Sequence, residues 1–226
     1  MNTFSRTAIT LSCLLVLAAC NKKPPEEAAA PPAATEPAAA PTPAAPAEPT
    51  EEQRAAAEKQ AKLDFATMED RFLSDPKGQW ATSAKASSSY GEKGDQMPKA
   101  PEASRAWKAT GKVDGDGWSQ LEQDVGMDWL ELGYAKPVNA TALRAVFTSN
   151  EAVNAITKVE LLDEAGTATV VWSGVSDVKP EENGPRTWFV REFPRTEKKV
   201  KGVKLTFANP VAIGYKDVDA VQLVGE

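Results

Sequence analysis

Seven short β-forming runs between Trp80 and Glu226, each closed by Gly, Pro or Asp, set the strongest limit on what this chain can fold into. Met127 to Tyr134 alternates, with Leu130 and Leu132 on one face and Trp129 and Glu131 on the other. Leu143 to Phe147, Ile156 to Leu162, Thr169 to Trp172, Thr187 to Phe193, Val203 to Phe207 and Val218 to Val224 are the remaining runs. No long helical pattern intervenes, so 80–226 is predicted to form an antiparallel β-sandwich. That length supports one substantial core, and no internal repeat divides it. For the whole chain the expected fold class is all-β, with one helix and a disordered N-terminal tether ahead of the sandwich.

The helix is predicted over 51–75. Thr50-Glu51-Glu52-Gln53 fits a capping box, in which the threonine hydroxyl and glutamine side chain satisfy free backbone amides. Ala61, Phe65, Met68 and Phe72 recur at helical spacing and form one apolar stripe, and Asp75-Pro76 with Gly78 ends the run. The stripe is expected to pack on its own domain; a partner helix or a membrane surface are the alternatives. The acidic start, Glu51 and Glu52, argues against docking on anionic lipid.

From Pro24 to Thr50 the composition collapses to proline, alanine and a few acids or threonines. Such a segment buries too little apolar surface to offset its ordering entropy. Its prolines favour extended polyproline II at ~3.1 Å per residue, a semi-rigid spacer reaching up to about 80 Å. Further upstream, Arg6 precedes an uncharged run from Ala8 to Ala19, which falls short of the ~20 residues a membrane-spanning helix needs. Leu17-Ala18-Ala19-Cys20 at its end resembles the lipobox of bacterial lipoproteins. The resemblance implies a cleaved signal over 1–19, an acylated Cys20 and a lipid-anchored Ala/Pro-rich linker over 20–50. Each buried acyl methylene adds ~0.8 kcal/mol, so two or three chains anchor the protein permanently. An ordinary secretory signal with an incidental Cys20 is the alternative. Asn21 in place of an aspartate favours the outer membrane of the cell envelope. Cys13 leaves with the signal, so no internal disulfide forms.

The chemistry open to the chain is narrow. Histidine is absent, which removes the usual general base and the commonest metal ligand. No Gly-x-Ser-x-Gly elbow or phosphate-cradling glycine loop occurs. An enzyme is therefore not expected; the carboxylate pairs Asp114/Asp116, Asp124/Asp128, Glu181/Glu182 and Asp217/Asp219 are the remaining route to hydrolysis. A net charge of −6 lacks the basic footprint of a nucleic-acid partner. Lys198, Lys199, Lys201 and Lys204 are a local exception, expected to solvate or protect a strand edge. Asp114-Gly115-Asp116-Gly117 invites a calcium reading, but an EF-hand register would place Lys112 first and Gln123 last, where carboxylates are required. A plain turn is the favoured reading, with no metal and no cofactor.

Ala86-Ser87-Ser88-Ser89-Tyr90, Trp107-Lys108-Ala109-Thr110-Gly111-Lys112, Asp128-Trp129-Leu130-Glu131-Leu132 and Gly214-Tyr215-Lys216-Asp217-Val218-Asp219-Ala220-Val221 occur in this order. Together they resemble the discoidin-like, or coagulation factor 5/8 type C, galactose-binding jelly roll. The resemblance implies an eight-stranded jelly roll that binds glycans, phospholipids or proteins through loops at one end. In carbohydrate-binding relatives it also implies a structural calcium, helped by a glutamate of the final strand. Here that strand runs Ala220-Val221-Gln222-Leu223 and lacks the acid. Trp80, Trp107, Trp129 and Trp172 are expected to pack, whereas Trp118, in a glycine-rich loop, and Tyr215 are the candidate ligand-binding rings against a loop-support role. The resulting expectation is a lipid-anchored envelope module that recognises a glycan. The alternatives are a protein-interaction or scaffold lipoprotein without carbohydrate affinity, and a cryptic hydrolase using Asp114 or Asp116.

Overall fold

The computed structural model of the chain describes residues 48–93 and 105–226. The predicted signal, Cys20 and nearly all of the linker lie outside the described residues.

The first element is helix α1, Glu51–Leu73. Its capping box is present: Gln53 N donates to Thr50 Oγ1 at 3.2 Å and Thr50 N to Gln53 Oε1 at 2.8 Å. The helix stops two residues before the predicted end, because Ser74 takes the C-cap and its N–H bonds Asp70 O at 3.0 Å. Gly78 N then donates to Asp75 O at 3.0 Å, turning the chain into the sheet.

Among the described residues, nine antiparallel strands follow in two sheets. The smaller sheet has the order β1 (Gly78–Trp80), β9 (Val218–Gly225), β4 (Ala140–Phe147), β7 (Thr187–Glu192). The larger runs β2 (Ser83–Ala86), β3 (Met127–Val138), β8 (Val200–Ala208), β5 (Ile156–Asp163), β6 (Ala168–Ser173). All seven predicted runs are strands. The short β1 and β2 are additional; their Gly, Ser and Ala residues carry no β signal, and pairing with β9 and β3 makes them strands.

Alternation fills the core. Leu130, Leu132, Val203, Leu205 and Phe207 of the larger sheet meet Leu143, Phe147, Phe189, Val221 and Leu223 of the smaller, and all are buried. Phe207 stacks at 5.7 Å on Trp118 and at 6.4 Å on Phe147. Burying each such side chain contributes about 1.5–3 kcal/mol.

The outer face of the smaller sheet is closed by α1. Phe65 and Phe72 form a second cluster with Val146, Trp188 and Ala220, flanked by Met68 and Trp80. Phe72 lies 5.2 Å from Trp188, whose Nε1 donates to Glu69 Oε1 at 3.2 Å. Arg144 sits 4.2 Å over the Phe72 ring and 2.8 Å from Asp75. The apolar stripe therefore packs on its own domain through Phe65, Met68 and Phe72. Covered on both faces, β9 is buried at every residue.

Strand directions gather residues 87–93, 105–126, 148–155, 174–186 and 209–217 at one end of the sandwich. This is the loop end. A Cβ on Gly184 in one of these connections would meet Phe65 at 2.4 Å, so the first turns of α1, which bury nothing, lie on the loop-end side of Phe65.

Candidate functional site

Four strand-to-strand connections converge on the loop end, and a buried lysine ties two of them together. Lys216 has no exposed surface, and its Nζ donates to Gln123 O at 3.0 Å, to Ala212 O at 2.7 Å and to Gly214 O. Burial lowers its pKa, partly offset by the nearby Asp124, Asp217 and Asp128 carboxylates. Gln120, also buried, accepts Lys216 N at 2.9 Å and donates to Gln123 O at 3.0 Å. Asn209 Nδ2 completes the brace by donating to Val125 O at 2.9 Å and to Asp128 Oδ2 at 2.7 Å. Asp128 also accepts from Ser87 and Ser88. The loops thus stand on a polar scaffold that restricts their motion.

Trp118 belongs to this scaffold, which corrects its assignment as a ligand contact. It is fully buried, it exchanges backbone hydrogen bonds with Val218 at 2.8 and 2.9 Å, and its Nε1 donates to Ser88 O at 3.0 Å. The cause is Gly117. A Cβ there would fall 3.2 Å from the Val218 carbonyl, so the glycine serves close approach to β9 rather than loop exposure.

Tyr215 is half-buried at the surface, beside a residue that sequence reasoning missed. Its ring meets Tyr90 edge-on at 4.8 Å and 69°, and Tyr90 is 56% exposed. Trp107, expected to pack, is 60% exposed. It sits on a 3-10 turn, Arg105–Ala109, anchored by buried Ala106 and Ala109. A cleft of about 40 Å³ runs between Tyr90, Arg105, Lys108 and Ser119. Lys108 is held 2.6 Å from Asp116. On the adjacent connections and at the start of β3, Val125, Met127, Val211 and Ile213 are all exposed, Ile213 at 89%.

The Asp114–Gly117 segment does not fit a calcium ion. Asp219 accepts N–H groups of Asp114 and Gly115, each at 3.1 Å, and Arg186 lies 4.0 Å away. Asp114 in turn accepts Asp116 N at 2.8 Å. These carboxylates face backbone donors and a guanidinium, whereas a hard cation needs oxygens converging on one point. Burial pushes the Asp219 carboxyl up despite the two N–H donors. The other acids of this end are engaged too: Asp116 pairs with Lys108, Asp217 accepts from Ser119 and Asp128 from Asn209.

No family model matches the chain, and no curated protein matches it. Among solved structures it is similar to a family 32 carbohydrate-binding module from Clostridium perfringens NanJ, solved in complex with galactose. That pair shares 14% identity over 65% of this chain and 98% of the module, with a TM-score of 0.46. A second Clostridium perfringens module, solved with GalNAc-β-1,3-galactose, shares 13% identity over 63% and 94%, with a TM-score of 0.45. A pectin-binding module shares 13% identity over 64% and 91%, with a TM-score of 0.43.

Proposed function

We propose that the chain is a non-catalytic, lipid-anchored module of the cell envelope, held at the outer membrane, whose loop end binds a glycan. The observation that carries this reading is the uncovered aromatic surface of Tyr90, Tyr215 and Trp107 on a braced scaffold. Large rings left in water are unfavourable unless something covers them, and their flat faces suit the C–H face of a pyranose. Arg105 and Lys108, beside the cleft, supply hydrogen-bond donors for hydroxyls. The fold of the solved sugar-binding modules is compatible with this reading.

A glycan array followed by titration calorimetry tests it. Tyr90→Ala and Trp107→Ala are each expected to weaken saccharide binding about tenfold to a hundredfold. Absence of binding to any saccharide at millimolar concentration overturns it. Anchoring is tested separately: Cys20→Ala should abolish lipid labelling and release the protein into the soluble fraction.

A second reading is a protein-interaction role, favoured by the exposed Val125, Met127, Val211 and Ile213 on neighbouring connections and the start of β3. Photo-crosslinking from position 213 in intact envelopes should then capture one reproducible protein, whereas the glycan reading places crosslinks at Trp107 instead.

A further inference from the structure

The outer face of the larger sheet carries a groove of about 520 Å³, within the range of ligand sites, and remote from the loop-end aromatics. Its origin lies in the strand register. Ser83, Gly133, Gly202 and Leu162 stand side by side on β2, β3, β8 and β5, so two adjacent central strands lack a side chain at the same level. A Cβ on Gly133 would fall 2.5 Å from Ser83 Oγ, and one on Gly202 3.1 Å from Leu162 Cδ1. Ser83 and Leu162 therefore lean in as walls above a glycine floor. Glycine weakens a strand interior and commonly marks a close approach by another group.

The rim is polar. One row along, Lys85, Glu131, Lys204 and Glu160 alternate in charge across the same four strands. Lys85 pairs with Glu131 at 2.9 Å, and on the far side Lys198 lies 3.3 Å from Asp163. Paired charges offer hydrogen bonds with little net attraction for an ion. The floor strands β3 and β8 are each paired on both sides, so no free ladder edge invites an added peptide strand.

We infer that this groove is a second saccharide site, taking a short neutral oligosaccharide that lays its C–H face on the Gly133–Gly202 floor and its hydroxyls against Ser83, Lys85, Glu131 and Asp163. The assignment is independent of the loop-end reading. Two sites on separate faces would let one molecule bridge neighbouring chains, with the gain in avidity that follows from effective concentration.

Amide chemical-shift mapping on the full chain tests the assignment, with cellotetraose and chitotetraose as neutral probes. Tetragalacturonate serves as the anionic probe and tetra-alanine as the peptide probe. Shifts for a neutral probe should centre on Ser83–Ala86, Glu131–Gly133 and Gly202. The double variant Lys85→Ala/Glu131→Ala, which strips a partly exposed pair together, should weaken that binding about tenfold and leave thermal unfolding unchanged. Leu162→Ala supplies an independent variant, and Trp107→Ala should leave the groove's affinity as it was. Shifts confined to the loop end, no shift with either neutral probe, or preference for tetragalacturonate or tetra-alanine overturns the assignment. The loop-end reading survives the first of these outcomes, so the two failures are distinguishable.

Discussion

Two of the aromatic clusters among the described residues are treated in opposite ways. Under α1, Phe72 and Trp80 each pack tilted against Trp188, which is buried and has its indole N–H bonded to Glu69. At the loop end Tyr90 and Tyr215 meet edge-on, and Trp107 stands largely in solvent with the Lys108 ammonium 6.0 Å from its ring centre. One cluster has its cover built into the chain. The other has a hydrogen-bonded base and no cover among the described residues, which distinguishes packing from a surface held ready for a partner. The contrast predicts that substitutions beneath α1 move stability, whereas substitutions among the exposed rings move binding.

The largest effect is expected at Trp188→Ala. Truncating a buried tryptophan costs about 3–5 kcal/mol, through lost burial and the cavity left behind. Chemical denaturation should show this drop, and any chain still folded should keep its saccharide affinity. A drop in affinity equal to that at Trp107 would dissolve the division between the clusters.

Lys216→Met comes next, because it lies under the exposed rings but is itself buried. Removing the ammonium takes the lysine donor from the Ala212 carbonyl and leaves the Gln123 and Gly214 carbonyls to Gln120 alone, at a cost of about 1–3 kcal/mol. The variant should lose affinity as well, since Tyr215 is its immediate neighbour. Unchanged binding would show that the brace does not position the rings.

These residues also mark what was legible in the sequence. Alternation along β3 announced the sandwich because one face is buried and the other solvated, and the helical stripe announced α1. β9 reads without alternation because α1 covers its outer face, a fact held in a distant segment. Gly117 suggested an open loop around Trp118, yet its role is to let the chain press against Val218, and glycine signals both situations alike. Trp107 was legible in principle. Ala106 and Ala109, three apart, anchor one side of a short turn and leave the tryptophan on the other. Nothing local announces that Lys216 is buried, since its partners are carbonyls supplied by tertiary approach.

Acid should separate the clusters by a smaller margin. Burial opposes ionisation of Asp75, but the Lys77 N–H and the Arg144 guanidinium outweigh it and hold the carboxyl below its usual value. A depressed carboxyl contributes stability above its unfolded pKa and loses it as pH falls through the folded value. Asp75→Asn should therefore flatten the acid limb of the unfolding profile by a fraction of the wild-type change, with α1 fluorescence probes responding before loop-end ones. An acid limb identical to wild type would remove Asp75 from the forces that hold α1 down.

The smallest stability change belongs to Trp107→Ala, and it is the sharpest test of the contrast. The ring is mostly in water, its turn stays pinned by Ala106 and Ala109, and the Lys108 ammonium lies 6.0 Å from the ring centre. An exposed cation–π contact is worth about 0.5–1 kcal/mol at most, and substitutions of this kind shift stability by about 0.5 kcal/mol or less. Thermal unfolding should thus be nearly unchanged while saccharide affinity falls about tenfold or more. The reverse pattern, a large loss of stability with affinity intact, would make Trp107 a structural ring like Trp188 and leave the loop end without the uncovered surface from which its function is argued.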